Sequence, residues 1–223
     1  MAKETLSERR TRARVLINVL EDTYPQAECE LRHANVLELL IATILSAQCT
    51  DKQVNVVTAS LFKKHRSAAD FANVSQEELE RDIQRIGLFR AKARHIRACC
   101  ASLVELHSGQ VPSSMAALLA LRGVGRKTAN VVLGTGFGIS EGIVVDTHVA
   151  RLSRRLALSH EKTPEQIEKD LTRLVPQNLW VNLSHWLIWH GRRRCSSRHP
   201  DCPNCEIEKW CPSSTNRRNP VKA

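Results

Sequence analysis

The segment LRGVGRKTA at residues 121–129 constrains this chain more than any other, because it forces the backbone to reverse between two helices. An apolar helical stripe at Met115, Leu118, Leu119 and Leu121 stops at Arg122-Gly123-Val124-Gly125, and a second helix opens at once over residues 126–133. Two glycines one residue apart allow a sharp turn with positive φ at little steric cost. A helix that restarts directly from such a turn presents unpaired backbone N–H groups, which suit an anion such as phosphate.

The rest of the chain agrees with a helical protein. Thr5 and Glu8 form a capping-box pattern ahead of an apolar face at Val15, Leu16, Val19 and Leu20. Asn35 and Glu38 open an apolar helix that runs to Leu45, and a further helix follows over residues 51–62. Ser75 and Glu78 start one that ends near Gly87, and residues 90–108 form a long one closed by Gly109. Ser113 or Ser114 starts the first hairpin helix. Another helix opens at Thr147, and Thr163-Pro164-Glu165-Gln166 begins one with proline at its first position. No stretch alternates with period two for long enough to build a sheet, so the expected class is all-α. No apolar run approaches the roughly 20 residues of a membrane span.

Two residues carry the candidate chemistry. Lys127 puts a cation in the first turn of the second hairpin helix, where the helix dipole opposes it. An amine must be neutral to act as a nucleophile, and such a position favours the neutral form. The alternative is a solvated lysine that touches phosphate. Asp146 follows the apolar run Ile143-Val144-Val145 and suits the N-cap of the helix at Thr147. A cap and a catalytic carboxylate are compatible, since the cap fixes where the carboxylate points.

The eight cysteines come without an apolar signal-peptide core, and Glu4 and Glu8 interrupt the arginine-rich start. Reduced thiols or a metal are therefore expected rather than disulfides, in a cytoplasmic compartment, at the nucleoid of a bacterial source. Cys195, Cys202, Cys205 and Cys211 have the spacing C-x6-C-x2-C-x5-C. A C-x2-C pair is common at zinc, but structural zinc usually takes two close pairs. The single outer cysteines are tolerated by a cubane held by four thiolates. Cys29, Cys49, Cys99 and Cys100 lack metal spacing and read as packing residues. Between Arg192 and Lys222 eight lysines or arginines stand against three acids, and the whole chain has a net charge of +10. A basic surplus of this kind favours a nucleic-acid partner.

LRGVGRKTANVVL followed by VVDTHVARL resembles the helix-hairpin-helix DNA glycosylases, in their endonuclease III branch. LLIATILSAQCTD, IGLFRAKA, HWLIWHGRRRC and the cysteine tail extend the resemblance over roughly residues 12–212 in one order. It implies a two-lobed fold. A helical barrel lobe at 29–140 contains the hairpin at about 114–134. A cluster lobe combines 1–28 with 141–223 and holds a [4Fe–4S] loop at 195–211. It implies a bifunctional glycosylase and abasic-site lyase acting on oxidised pyrimidines in double-stranded DNA, with Lys127 as nucleophile and Asp146 as its carboxylate. Gln48 would enter the vacated base stack and Leu88 would wedge it. Gly123, Val124 and Gly125 would hold a phosphate through their backbone, and Arg126, Arg151 and Arg198 would reach others. Taken from the residues alone, Gln48 is a polar turn residue and Leu88 a core leucine. The expected protein is a monomer.

The sequence departs from the family in three places. Arg122 stands where relatives commonly have proline. Gly134 and Gly136 replace side chains, which is expected to loosen that segment. Phe89 and Arg90 flank the wedge leucine, where they bear on lesion range. A mismatch or pyrimidine-dimer glycosylase of the same superfamily is one alternative, and a non-catalytic hairpin module that only grips DNA is another.

Overall fold

The computed structural model describes residues 4–215. The basic tail residues Arg217, Arg218 and Lys222 lie outside the described residues. Within the described range every regular element is helical: α1 (Leu6–Thr23), α2 (Val36–Leu45), α3 (Asp51–Lys64), α4 (Ala68–Asn73), α5 (Gln76–Asp82), α6 (Phe89–His107), α7 (Met115–Ala120), α8 (Arg126–Val131), α9 (Thr147–Arg155), α10 (Pro164–Leu174) and α11 (Trp180–Arg193). No described helix is long and apolar enough to cross a membrane.

Side chains at the helix starts explain many of these boundaries. Thr5 and Glu8 form a reciprocal capping box at α1, and Asn35, Ser75, Ser114 and Thr163 each accept a hydrogen bond from the backbone N–H three residues on. Three features differ from the sequence reading. α4 is an additional helix, capped by Ser67 with Asp70 closing the box. α5 stops at Asp82, ahead of Gly87. α8 continues as a π-helical turn, Val132–Gly136. Gly136 does not loosen that turn. A Cβ there would stand 3.0 Å from Val36 Cγ1, so the glycine allows the turn to pack closely on α2.

The chain divides into two compact units. One, Cys29–Glu141, contains α2 to α8. Its core surrounds α2, where Leu39, Leu40 and Leu45 are fully buried, together with Phe71, Leu79, Ile83 and Ile96. Each such side chain contributes on the order of 2 kcal/mol of hydrophobic stabilisation. The other joins the N-terminal residues as far as Glu28 to the chain from Gly142 onward. Its core packs Leu16 and Leu20 of α1 with Val149 and Leu152 of α9, Ile167 and Leu171 of α10, and Trp186 and Leu187 of α11. The apolar stripe of α1 has its partners more than a hundred residues later, which no local pattern shows.

Candidate active site

The hairpin joins α7 to α8 through Leu121 to Gly125. The Val124 N–H donates to the Leu121 carbonyl at 3.2 Å, and the residue is buried. Gly123 has φ of 78°, and a Cβ on it would approach His95 Cβ on α6 to 2.8 Å. Conformation and close packing therefore both require glycine there. Gly125, the N-cap of α8, differs. A Cβ would meet nothing within 4 Å, so the space beside its backbone is open to a ligand. Lys127 is exposed in the first turn of α8, as are Arg122 and Arg126 around it.

Asp146 is the N-cap of α9, its Oδ1 accepting the Val149 N–H at 2.8 Å. The carboxylate is half-buried and held in orientation by that bond. Two residues on, burial is the main influence pulling His148 below its ordinary pKa, with the Asp146 charge opposing it.

Gln48 and Leu88 share an uncommon backbone. Their φ values are 53° and 58°, in the left-handed region that non-glycine residues seldom adopt. Both side chains face solvent, and Leu88 is 61% exposed. It is not a core leucine. The two turns run side by side, since a Cβ on Gly87 would lie 3.7 Å from the Gln48 carbonyl oxygen.

Cys195, Cys202, Cys205 and Cys211 line one small pocket, with Arg155, His190 and Arg194 also in its wall. All four thiols are free of disulfides. Burial, with neighbouring acidic and thiolate charge, pushes the Cys205 thiol up to about 12. Arg155 Nη1 lies 3.1 Å from Cys195 Sγ. His190 Nε2 is 3.5 Å from Cys205 Sγ, and its Nδ1 is 3.0 Å from the Tyr24 hydroxyl. The tautomer protonated on Nε2 donates to the sulfur while Nδ1 accepts from Tyr24. Burial pulls His190 down to about 4, which keeps the ring neutral.

The donor set, four cysteines lining one pocket with nitrogens near the sulfurs of Cys195 and Cys205, is of the kind that holds a metal through thiolates. Among the described residues only His65, Glu78 and Asp82 bring ligand atoms within 4.8 Å of one another. The Lys64 ammonium already sits among them, 2.7 Å from Glu78 and 2.9 Å from Asp82.

Arg198 is exposed in the loop between the first two cysteines. Arg151, expected at phosphate, is turned inward instead. Its Nη2 donates to the carbonyls of Gly191 at 2.9 Å and Cys195 at 3.0 Å. Nothing in the sequence singles out Arg155, which lies 40 residues before Cys195, and His190 stands inside the HWLIWHGRRRC motif without a signal of its own.

The chain is 46% identical over 209 residues to endonuclease III of Synechocystis sp., covering 94% of this chain and 95% of the relative. The chain belongs to the endonuclease III family. The broader family profile, described as HhH-GPD superfamily base excision DNA repair protein, matches residues 41–177. Two solved endonuclease III structures, a non-covalent DNA complex and a trapped DNA covalent intermediate with an estranged adenine, each superpose with a TM-score of 0.89 at 43% identity. Each covers 94% of this chain, against 98% and 99% of the solved chains. The all-α, two-lobed fold implied by the motifs is the fold of this family.

Proposed function

We propose that this protein is a bifunctional DNA glycosylase and abasic-site lyase that removes oxidised pyrimidines from duplex DNA, with Lys127 as its nucleophile. The observation that carries the reading is the exposed amine of Lys127, two residues beyond Gly125 in a glycine hairpin whose Gly125 side is open. A relative trapped as a covalent intermediate with DNA supports it, since such an intermediate needs a nucleophile on the protein.

A base inside the stack is out of reach of any side chain, so the nucleotide is first extruded. Gln48 fills the vacated position and Leu88 wedges the stack, which suits two exposed side chains presented on adjacent turns. The backbone of Gly123, Val124 and Gly125 grips a phosphate, with Arg126 and Arg198 reaching others. The Lys127 Nζ then attacks C1′, and the bond from C1′ to the base breaks. The sugar ring then opens, the bond from C1′ to O4′ breaking as O4′ gains a proton and the Lys127 nitrogen loses one. The Schiff base so formed acidifies the C2′ proton. Its loss expels the 3′ oxygen and cuts the strand. Asp146 supplies a carboxylate that stabilises positive charge on the sugar or takes the Lys127 proton.

Cys195, Cys202, Cys205 and Cys211 hold a [4Fe–4S] cluster. When bound, it supplies a common template for the four thiolates and shapes the loop bearing Arg198. The place of action is the chromosome, in the cytoplasmic nucleoid of a bacterial source.

Borohydride trapping on two duplexes tests the reading, one with thymine glycol and one with a plain abasic site. Capture on both is expected. Capture on the abasic duplex alone removes the lesion assignment, and capture on neither leaves a binding module.

A further inference from the structure

Among the described residues Lys92 on α6 is the only lysine or arginine that is buried, at 4% exposure. Its ammonium has carbonyls rather than a carboxylate as partners. Nζ donates to the Leu45 carbonyl at 2.8 Å and to the Ala47 carbonyl at 2.6 Å. Leu45 is the last residue of α2, where the helix dipole places partial negative charge. Ala47 immediately precedes Gln48. Burial pulls the ammonium below the ordinary lysine pKa, partly opposed by Cys49, so the site bears a desolvation cost to keep a cation there.

The main chain of the same residue faces the second turn. The Lys92 N–H donates to the Leu88 carbonyl at 3.1 Å, in the first turn of α6. One residue therefore holds the carbonyl next to Gln48 with its side chain and the carbonyl of Leu88 with its backbone. Both held turns contain a left-handed non-glycine residue, a conformation that persists when its surroundings over-determine it.

We propose that Lys92 is a positioning residue that clamps the Gln48 turn to the Leu88 turn and so sets the spacing at which the two side chains enter the DNA stack. This rests on the roles given to Gln48 and Leu88 above. Two flexible turns would have to be ordered at the moment the stack opens. With Lys92 in place they form one rigid part, and the ordering is complete before DNA arrives.

The test uses a thymine glycol duplex with 2-aminopurine beside the lesion, whose fluorescence rises when the stack opens. A second substrate places an abasic site inside an unpaired bubble, where no opening is required. Lys92→Met is expected to lose most of the fluorescence rise and to release the damaged base about tenfold to a hundredfold more slowly. Borohydride capture of that variant on the bubble should stay within about twofold of wild type. Lys92→Arg, which can still donate to both carbonyls, should recover about half of the rise or more.

An equal loss on both substrates would reveal a general structural role and overturn the proposal. A full fluorescence rise in Lys92→Met would overturn it as well. If Lys92→Met is insoluble, Lys92→Gln, with an amide donor for one carbonyl only, serves in the same comparison. A wild type that captures the bubble but opens no stack removes the Gln48 and Leu88 roles and this inference with them. A wild type that captures nothing removes the enzymatic reading itself.

Discussion

Arg155 Nη1 stands 3.1 Å from the sulfur of Cys195, at the opposite end of the helix that Asp146 caps. The same guanidinium donates to the carbonyls of Ser196 and Ser197, each at 2.7 Å. One planar fork thus holds the chain leading into Arg198. A lysine would bring the same charge without the fork. Arg155→Lys is therefore expected to fold but to carry less iron and sulfide per chain. Its DNA affinity should fall less steeply with salt, the slope dropping by about one if the phosphate contact proposed for Arg198 is lost. Iron analysis and a salt titration check this. Unchanged iron and slope together would show that the loop keeps its shape without the fork.

Lys127→Gln separates chemistry from binding. The position is exposed and glutamine is a good helix former, so stability should change by no more than about 0.5 kcal/mol. The variant should bind damaged duplex near wild-type affinity yet give no borohydride adduct and no strand cleavage. Retained cleavage would falsify the assignment of the nucleophile.

Local rules made the helix starts and the hairpin legible in the sequence. Thr5, Asn35, Ser75, Ser114 and Thr163 cap their helices through a bond spanning three residues, which a sequence displays directly. The missed α4 obeys the same rule with Asp70 in place of the usual Glu or Gln. Long-range facts were hidden. Lys92, inside the charged run Arg90 to Arg94, looks solvated, and only the packing of α2 against α6 buries it. Leu88 misleads in the opposite sense, because an apolar residue after a glycine suggests a core position and the left-handed turn presents it to solvent. Arg151 likewise became a brace for Gly191 and Cys195 once α9 met α11.

The cap made by Asp146 and the catalytic charge proposed for it can be divided by substitution. Asparagine caps a helix about as well as aspartate, so Asp146→Asn should keep the bond to the Val149 N–H and leave the melting temperature within about 2 °C. Removing the charge should slow base release about a hundredfold or more, as for loss of other electrostatic stabilisers. Asp146→Ala should lose the cap as well, with a further cost of about 1 kcal/mol. Melting curves and single-turnover rates on both variants decide the matter. If Asp146→Asn turns over normally, the carboxylate is a cap and nothing more.

The acid limb of stability gives a last check, away from the site. Asp82 at the end of α5 accepts from Lys64 Nζ at 2.9 Å and from His65 Nε2 at 3.0 Å. Burial alone would raise its pKa, but the hydrogen bonds and charges of Lys64 and His65 outweigh that and hold the carboxyl below its ordinary 3.8. Its folded pKa is then lower than its unfolded one, so the unfolded chain binds more protons in the interval between them. The contribution is complete above the unfolded value and disappears as pH falls through the folded one. Lys64 is 45% exposed, so water screens the pair and its contribution is small. Asp82→Asn should therefore be slightly less stable at neutral pH and should lose stability less steeply below about pH 4. Urea unfolding of both proteins between pH 3 and pH 7 measures the difference. Parallel curves throughout would mean that Asp82 titrates alike in the folded and unfolded chain.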